Sequence, residues 1–369
     1  MKTSRTAIFN VQNAPFEMED VKVPALKEGE ILVRNEYTTL CRSDLYTFSG
    51  KRTEKTPTIL GHEIVGVIEE MGPGAPERDT RGDILAVGDR ITWAIYAANP
   101  DSPMARRGIP QKGKDLFKYG HEQIKPQSHL HGGLSEYCIL RRYTPILKLR
   151  EEMPLPVITL INCSVATVAG SLRLAGEIKD RNVMITGAGM LGIIACAICK
   201  SRSARRIIAV DISEERLATA KRFGVDDTIL VNPNGPTLKD QVSSLLGEDS
   251  LDAALDYSGV PETMEASLAA LGIGGTAVWV GACFPQRDLA VSAENTVRSL
   301  HSIKGLHNYN QEDFVAAVEF MEQHHKDYPF MELVDDRFDL DTVGEAFVYA
   351  LSSGAHRVGV RTTSKHPDI

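Results

Sequence analysis

The stretch NVMITGAGMLGIIACAICK, residues 182–200, constrains the fold of this chain more than any other. A β-type run ends at Thr186, glycines follow at Gly187, Gly189 and Gly192, and an apolar helical pattern opens at Met190. In that context the G-x-G-x-x-G spacing has a mechanical meaning: the first glycine makes a tight turn, the second admits a pyrophosphate, and the third packs helix on strand. The free N–H groups of the helix start, around Met190, Leu191 and Gly192, then face the phosphates. Asp211 follows nineteen residues after Gly192, at the end of the run IIAVD. Its carboxylate is placed to accept hydrogen bonds from the adenosine ribose hydroxyls. A 2′-phosphate would meet that charge together with Glu214 and Glu215, so NAD is expected over NADP.

Around this motif, strands are expected at NVMITG, RRIIAVD, DTILV, LDAALDYSG, GTAVWVG and SIKGLH, with helices between them. That alternation predicts an α/β doubly wound parallel sheet. Residues 1 to about 150 have another texture, with short runs (ILVRNEYTTL, EIVGVIEEMG, DRITWAI, LSEYCIL, PILKL) broken by Gly and Pro. It is the pattern of an irregular β barrel with function on its loops. Residues 73–88 read as an exposed lid or spacer. After the parallel sheet, a helix near Phe314–His325, a strand near Leu333, a helix near Thr342–Leu351 and a last strand HRVGVRT return the chain to the first domain.

The net charge of −8 argues against an extended nucleic-acid or anionic-membrane surface, though not against a small anionic substrate. The N-terminus shows no signal-peptide pattern, and no apolar run of membrane-spanning length is apparent, so a cytoplasmic location is expected. Six cysteines in 369 residues do not make a disulfide framework. Reduced thiols serving packing and metal binding fit better.

The second informative stretch is Leu40–Gly66, LCRSDLYTFSGKRTEKTPTILGHEIVG. It brings Cys41, Asp44, His62 and Glu63 into one segment. Thiolate and imidazole suit a borderline-soft cation, and three protein ligands leave a position open for water or substrate, which points to catalytic zinc. Cys163, in LINCSVATVAG, is the best candidate for the remaining strong ligand.

Cys-x-x-Asp followed about twenty residues later by Gly-His-Glu, together with the glycine motif, resembles the zinc-dependent alcohol dehydrogenases of the medium-chain dehydrogenase/reductase superfamily. The resemblance covers nearly the whole chain. It implies a GroES-like β-barrel catalytic domain over residues 1–155, a Rossmann NAD-binding domain over 156–307, and a returning catalytic segment over 308–369. It also implies hydride transfer between an alcohol and NAD, with one zinc ion per chain and assembly as a homodimer or homotetramer. Asp44 would orient His62, and Glu63 would be either a fourth, exchangeable ligand or a charge behind the ligands. Ser43 would pass the hydroxyl proton on through the cofactor ribose, but Tyr46 replaces the His towards which the family's relay runs. Arg42 and Arg357 match arginines that hold the pyrophosphate, and Val280, Leu306 and Asn308 match positions that orient the nicotinamide amide. Relatives often carry four cysteines in the lobe after Trp93; here Asn99, Ser102, Ala105 and Gly113 stand at those positions, so no structural zinc is expected.

For the substrate, pieces such as RRGIPQKG, KYGHE and GLHNY look closest to the phosphonate-catabolism-associated alcohol dehydrogenases. Lys51, Arg52 and Lys55 place three positive charges on the loop between two metal-ligand candidates, suited to a phosphonate or phosphate. A solvated basic loop is the alternative, and a polyol or cyclitol is the competing substrate class. His121 and His307 are open between lining a substrate cleft and having no role. His129 and His131 lack a Cys or carboxylate at ligand spacing. Cys196 and Cys199 fall inside an apolar helix, and Cys138 and Cys283 are expected as core thiols. A metal-free reductase of the same superfamily and a non-catalytic zinc- and NAD-binding protein are the alternatives of other classes.

Overall fold

The computed structural model describes residues 2–126 and 128–363. The chain forms two compact units, one of Met1–Cys163, Asn310–Lys326 and Phe330–Ile369, the other of Ser164–Tyr309 with Asp327–Pro329. The expected breaks at 155 and 307 compare with observed breaks after Cys163 and Tyr309.

In the second unit six strands form one parallel sheet in the order Asp227–Leu230, Arg206–Asp211, Asn182–Thr186, Ala253–Asp256, Thr276–Trp279 and Ser302–Gly305. All six coincide with the expected runs. Sheet order reverses at Asn182–Thr186, so the turn after Thr186 sits at the carboxyl end of the switch point, where such sheets bind ligands. Every residue of Asn182–Thr186 is buried, as a strand covered on both faces requires. The helix Met190–Ser201 follows directly and is itself largely buried, including Cys196 and Cys199.

The first unit is organised around the ten-residue strand Ile31–Leu40. One edge of it pairs antiparallel with Glu63–Met71. The other edge is shared, Tyr137–Leu140 pairing with its first half and Arg357–Arg361 with its second. The sheet continues through Val334–Asp339 on one side and through Arg90–Trp93 and Ile146–Lys148 on the other. Thr39 faces Glu63 and Leu40 faces Val358, so three strand ends bring Cys41, Glu63 and Arg357 together. A core including Ile31, Val33, Ile64, Trp93 and Tyr119 fills this sheet, and another including Leu40, Phe48, Phe347 and Val358 packs beneath its returning part.

Loop 73–88 carries no strand but is not featureless: Asp79 is buried and its carboxylate accepts hydrogen bonds from the N–H groups of Arg81, Asp83 and Lys148. In the lobe after Trp93, Asn99 accepts from the Asp101 N–H, and Ser102 caps the short helix Pro103–Arg106.

Two expectations are corrected. The helical stretch Leu155–Ala175 is long and apolar enough to cross a membrane, with 21 residues and a mean hydropathy of 1.7. Its apolar window is 89% buried inside the protein, so packing accounts for that surface. Cys283 is exposed in a loop rather than buried in a strand, because the strand Thr276–Trp279 ends before it.

Gly192 packs so close to the Gly187 carbonyl oxygen that a Cβ would overlap it. Gly192→Ala is therefore expected to destabilise the second unit by about 1–3 kcal/mol, as overpacking does. Thermal unfolding checks this, and an unchanged midpoint would contradict the tight turn.

Candidate active site

Cys41, His62, Glu63 and Cys163 meet at the strand ends of the first unit, with their ligand-type atoms all within 4.8 Å of one another. Two thiols, an imidazole and a carboxylate form a donor set for a borderline-soft divalent cation. A tetrahedral zinc ion needs ligand atoms about 3.3–3.8 Å apart, so the set lies within a small contraction of that geometry.

Each ligand is placed by a distinct device. Cys41 directly follows the central strand and caps the start of the helix Arg42–Phe48. Asp44, fully buried in that helix, accepts from the Cys41 N–H at 2.9 Å and from the Gly61 N–H at 3.1 Å, and lies 3.4 Å from His62 Nδ1. One carboxylate thus ties the Cys41 turn to the His62 turn and orients the imidazole, leaving the other ring nitrogen for the cation. Cys163 lies in the π-helical turn Ile161–Val165. Such turns widen a helix locally and recur at functional sites. Its neighbour Asn162 donates to the carbonyls of His62 and Trp93, at 3.0 and 2.9 Å, and so fixes this turn against the rest of the site.

Glu63 is wholly buried and paired with Arg357 through two bonds of 2.8 and 3.0 Å, and it also accepts from the Thr39 hydroxyl at 2.6 Å. The fork-on-fork geometry is that of ionised partners. Burial pushes the Glu63 carboxyl upward, and Arg357 opposes that push. Arg357 Nη2 is also 3.7 Å from Cys41 Sγ, so one guanidinium serves a carboxylate and a thiol of the set. The resemblance assigns Arg357 to the pyrophosphate; the structure pairs it with Glu63.

Without a cation these groups share protons. The hydrogen bond between the thiols holds Cys41 well below the usual thiol range and, with burial, pushes Cys163 well above it. Burial would lower His62, but Asp44 and Cys41 outweigh it and raise the imidazole well above its ordinary value. Burial likewise works against the Asp44 carboxylate, yet His62 keeps it below the ordinary range. A divalent cation replaces those protons, which is how such sites bind metal.

Around the ligands, Ser43 is half-buried in the first turn of the helix, and Tyr46 lies between two cations, Arg42 at 5.7 Å and Lys51 at 5.5 Å from its ring. Arg52 pairs with Glu54 at 2.5 Å, so its charge is compensated, while Lys51 and Lys55 are exposed. Glu54 also holds His121 Nδ1 at 3.1 Å, and the His121 ring lies beside that of His62. Burial, with His62 and Arg52 nearby, keeps His121 below its ordinary value. His131 is buried against Phe117 and pulled down by burial to about 4.

In the second unit Gly189 caps the helix Met190–Ser201, and Leu191 and Gly192 lie in its first turn. Asp211 accepts from the Ala188 N–H in the glycine turn at 2.7 Å and from the Ser213 N–H at 2.9 Å. An ionised carboxylate has about four acceptor positions, so capacity remains for ribose hydroxyls. Val280 and Leu306 directly follow the strands Thr276–Trp279 and Ser302–Gly305, at the same carboxyl edge as the glycine turn. His307 is exposed just beyond, and Asn308 adopts φ 60°.

Comparison with known proteins agrees with both halves of this picture. Residues 27–151 match the alcohol dehydrogenase GroES-like domain, and residues 191–323 match the zinc-binding dehydrogenase family. The chain belongs to the zinc-dependent medium-chain dehydrogenase/reductase superfamily. It is 26% identical over 359 residues to an L-threonine 3-dehydrogenase from Paraburkholderia phytofirmans, covering 95% of this chain and 97% of that one. It is 29% identical over 304 residues to an alcohol dehydrogenase class-3 from Oryza sativa subsp. japonica, covering 76% of each. A solved alcohol dehydrogenase from Thermotoga maritima shares the fold, with a TM-score of 0.91 at 23% identity over 98% of this chain and all of the other. Its relatives make the enzyme an oxidoreductase.

Sequence reasoning did not find Asn162, Thr39 or the Arg357–Glu63 pair, since none lies near its partner in the chain. For Thr39 and Arg357 the signal is that a buried carboxylate needs donors; for Asn162 it is that buried carbonyls do. Arg357→Leu leaves Glu63 buried without its countercharge, and a loss of about 3–5 kcal/mol in stability is expected. Thermal unfolding of Arg357→Leu beside Arg357→Leu/Glu63→Leu checks this: the double variant should recover part of the loss, and equal destabilisation would contradict the pairing.

Proposed function

We propose that the enzyme transfers hydride between the carbinol carbon of a small alcohol and NAD, with one zinc ion held by Cys41, His62 and Cys163. The observation that carries this reading is the convergence of those side chains with Glu63 within 4.8 Å at a buried strand end. When bound, zinc would supply the Lewis acidity that lowers the pKa of a hydroxyl group towards neutrality. The protein's own groups do the rest. Asp44 fixes the orientation of His62, and Arg357 balances the charge of Glu63 so that a carboxylate stays ionised beside two sulfurs. In this reading Glu63 acts behind the ligands, since both of its oxygens are already engaged. Ser43, in the first turn after Cys41, is assigned to pass the hydroxyl proton on, giving up its own hydroxyl hydrogen as it accepts the substrate's. Asp211, with Glu214 and Glu215 close behind it in sequence, supports NAD rather than NADP.

The Arg52–Glu54 pair favours a neutral, hydroxylated substrate over a phosphonate or phosphate, because it leaves only Lys51 and Lys55 as uncompensated cations on the loop. A similarity to L-threonine 3-dehydrogenases is consistent with a secondary alcohol carrying a polar neighbour. NADH formation by the zinc-loaded chain is the test, on a panel of secondary alcohols, diols, amino alcohols, polyols, cyclitols and hydroxyalkylphosphonates. Turnover of a neutral class is expected, with Cys163→Ala lowering kcat/KM more than about 100-fold. Zinc-loaded protein that binds NAD yet oxidises no member of the panel would point instead to a non-catalytic role, and preference for the phosphonates would restore the basic loop as an anion reader.

A further inference from the structure

The His121–Glu54–Arg52 chain has no part in the chemistry described above. The His121 ring lies beside that of the metal-ligand candidate His62, with centroids 4.9 Å apart and planes inclined by 34°. Its loop is pinned there by Gly120, which adopts φ 73° and donates its N–H to the His131 carbonyl at 2.8 Å. A Cβ at Gly120 would come within 2.6 Å of the Gly61 carbonyl oxygen, so only glycine lets the two loops approach this closely. On its other side His121 Nδ1 meets Glu54 Oε1 at 3.1 Å, and Arg52 holds that same oxygen at 2.5 Å.

This chain of contacts dictates which ring nitrogen carries hydrogen. An ionised carboxylate only accepts, so Nδ1 donates to Glu54, and in the neutral ring Nε2 keeps a lone pair. No other side-chain hydrogen bond of His121 is formed among the described residues. We propose that His121, with its tautomer fixed by Glu54, reads the substrate: Nε2 accepts a hydrogen bond from a donor group, hydroxyl or ammonium, on the carbon next to the reacting carbinol. This rests on the reading of the metal set as the alcohol site. Groups that only accept, such as a carboxylate or a dianionic phosphonate, would face the Nε2 lone pair with no hydrogen to offer it. Glu54 is a positioning residue, acting through His121.

The experiment measures kcat and KM of the zinc-loaded full chain with NAD for butane-2,3-diol, 3-aminobutan-2-ol and butan-2-ol, in the parent, His121→Leu and His121→Gln. The parent is expected to prefer at least one donor-bearing substrate, and comparison of diol with amino alcohol identifies which donor is read. His121→Leu should lower that preference about tenfold or more, through KM rather than kcat, while His121→Gln, whose amide oxygen still accepts, keeps most of it. Glu54→Gln should lower it about threefold, and it provides the reading if His121→Leu does not fold. Calorimetric titration of the preferred compound into the zinc–NADH form should show the same loss of affinity without turnover. Unaltered preference and affinity in the variants, with butan-2-ol still oxidised, would overturn the role of His121 alone. A parent that oxidises no alcohol overturns the proposed function, and this inference with it.

Discussion

Two thiolates and a carboxylate buried around one imidazole need positive charge beside them. That constraint explains most of what surrounds Cys41, His62, Glu63 and Cys163. Arg357 supplies one unit of charge through its paired bonds to Glu63 and its contact with Cys41. A divalent cation would supply the other two: with both thiols ionised, Arg357 and the cation would balance Glu63, Cys41 and Cys163, leaving Asp44 as the carboxylate that the His62 imidazole faces. Desolvation makes each uncompensated charge cost several kcal/mol, so the balance decides stability as well as chemistry.

The fold meets this demand with one strand. Ile31–Leu40 is antiparallel to both Glu63–Met71 and Arg357–Arg361, so its end lies beside both of their beginnings. Residues 41, 63 and 357 are far apart in sequence but adjacent in register. The remaining ligand comes from a different element, a π-helical turn fixed by the amide of Asn162. Asp44 performs the same service between the Cys41 and Gly61 turns. Side-chain hydrogen bonds to backbone thus set the positions of ligands that no single element could hold.

Much of this was legible in the sequence. The six parallel strands follow from apolar runs of strand length punctuated by glycine, and the glycine turn from its placement between such a run and a helix. The candidate ligands Cys41, His62 and Cys163 were legible because thiolate and imidazole carry a strong metal preference, and the structure brings them together. What was hidden depends on register, which a local pattern does not encode. Arg357 was assigned by resemblance to a pyrophosphate, and only strand pairing reveals its contact with Glu63. Arg52 was read as one of three positive charges on its loop, with a solvated basic loop answering nearby acids as the alternative, and its pairing with Glu54 is of the kind that alternative describes. Cys283 was taken for a core thiol because the run GTAVWVGAC is apolar beyond the point where the strand stops. The apolar stretch Leu155–Ala175 was passed over because Asn162, Cys163 and Ser164 interrupt it.

The most direct measurement of the central claim is zinc K-edge X-ray absorption on the purified chain. The account requires about one ion per chain, with two sulfur neighbours near 2.3 Å and nitrogen or oxygen neighbours near 2.0–2.1 Å. A shell of nitrogen and oxygen alone, or a spectrum that is the same in Cys41→Ser and Cys163→Ala, would contradict it.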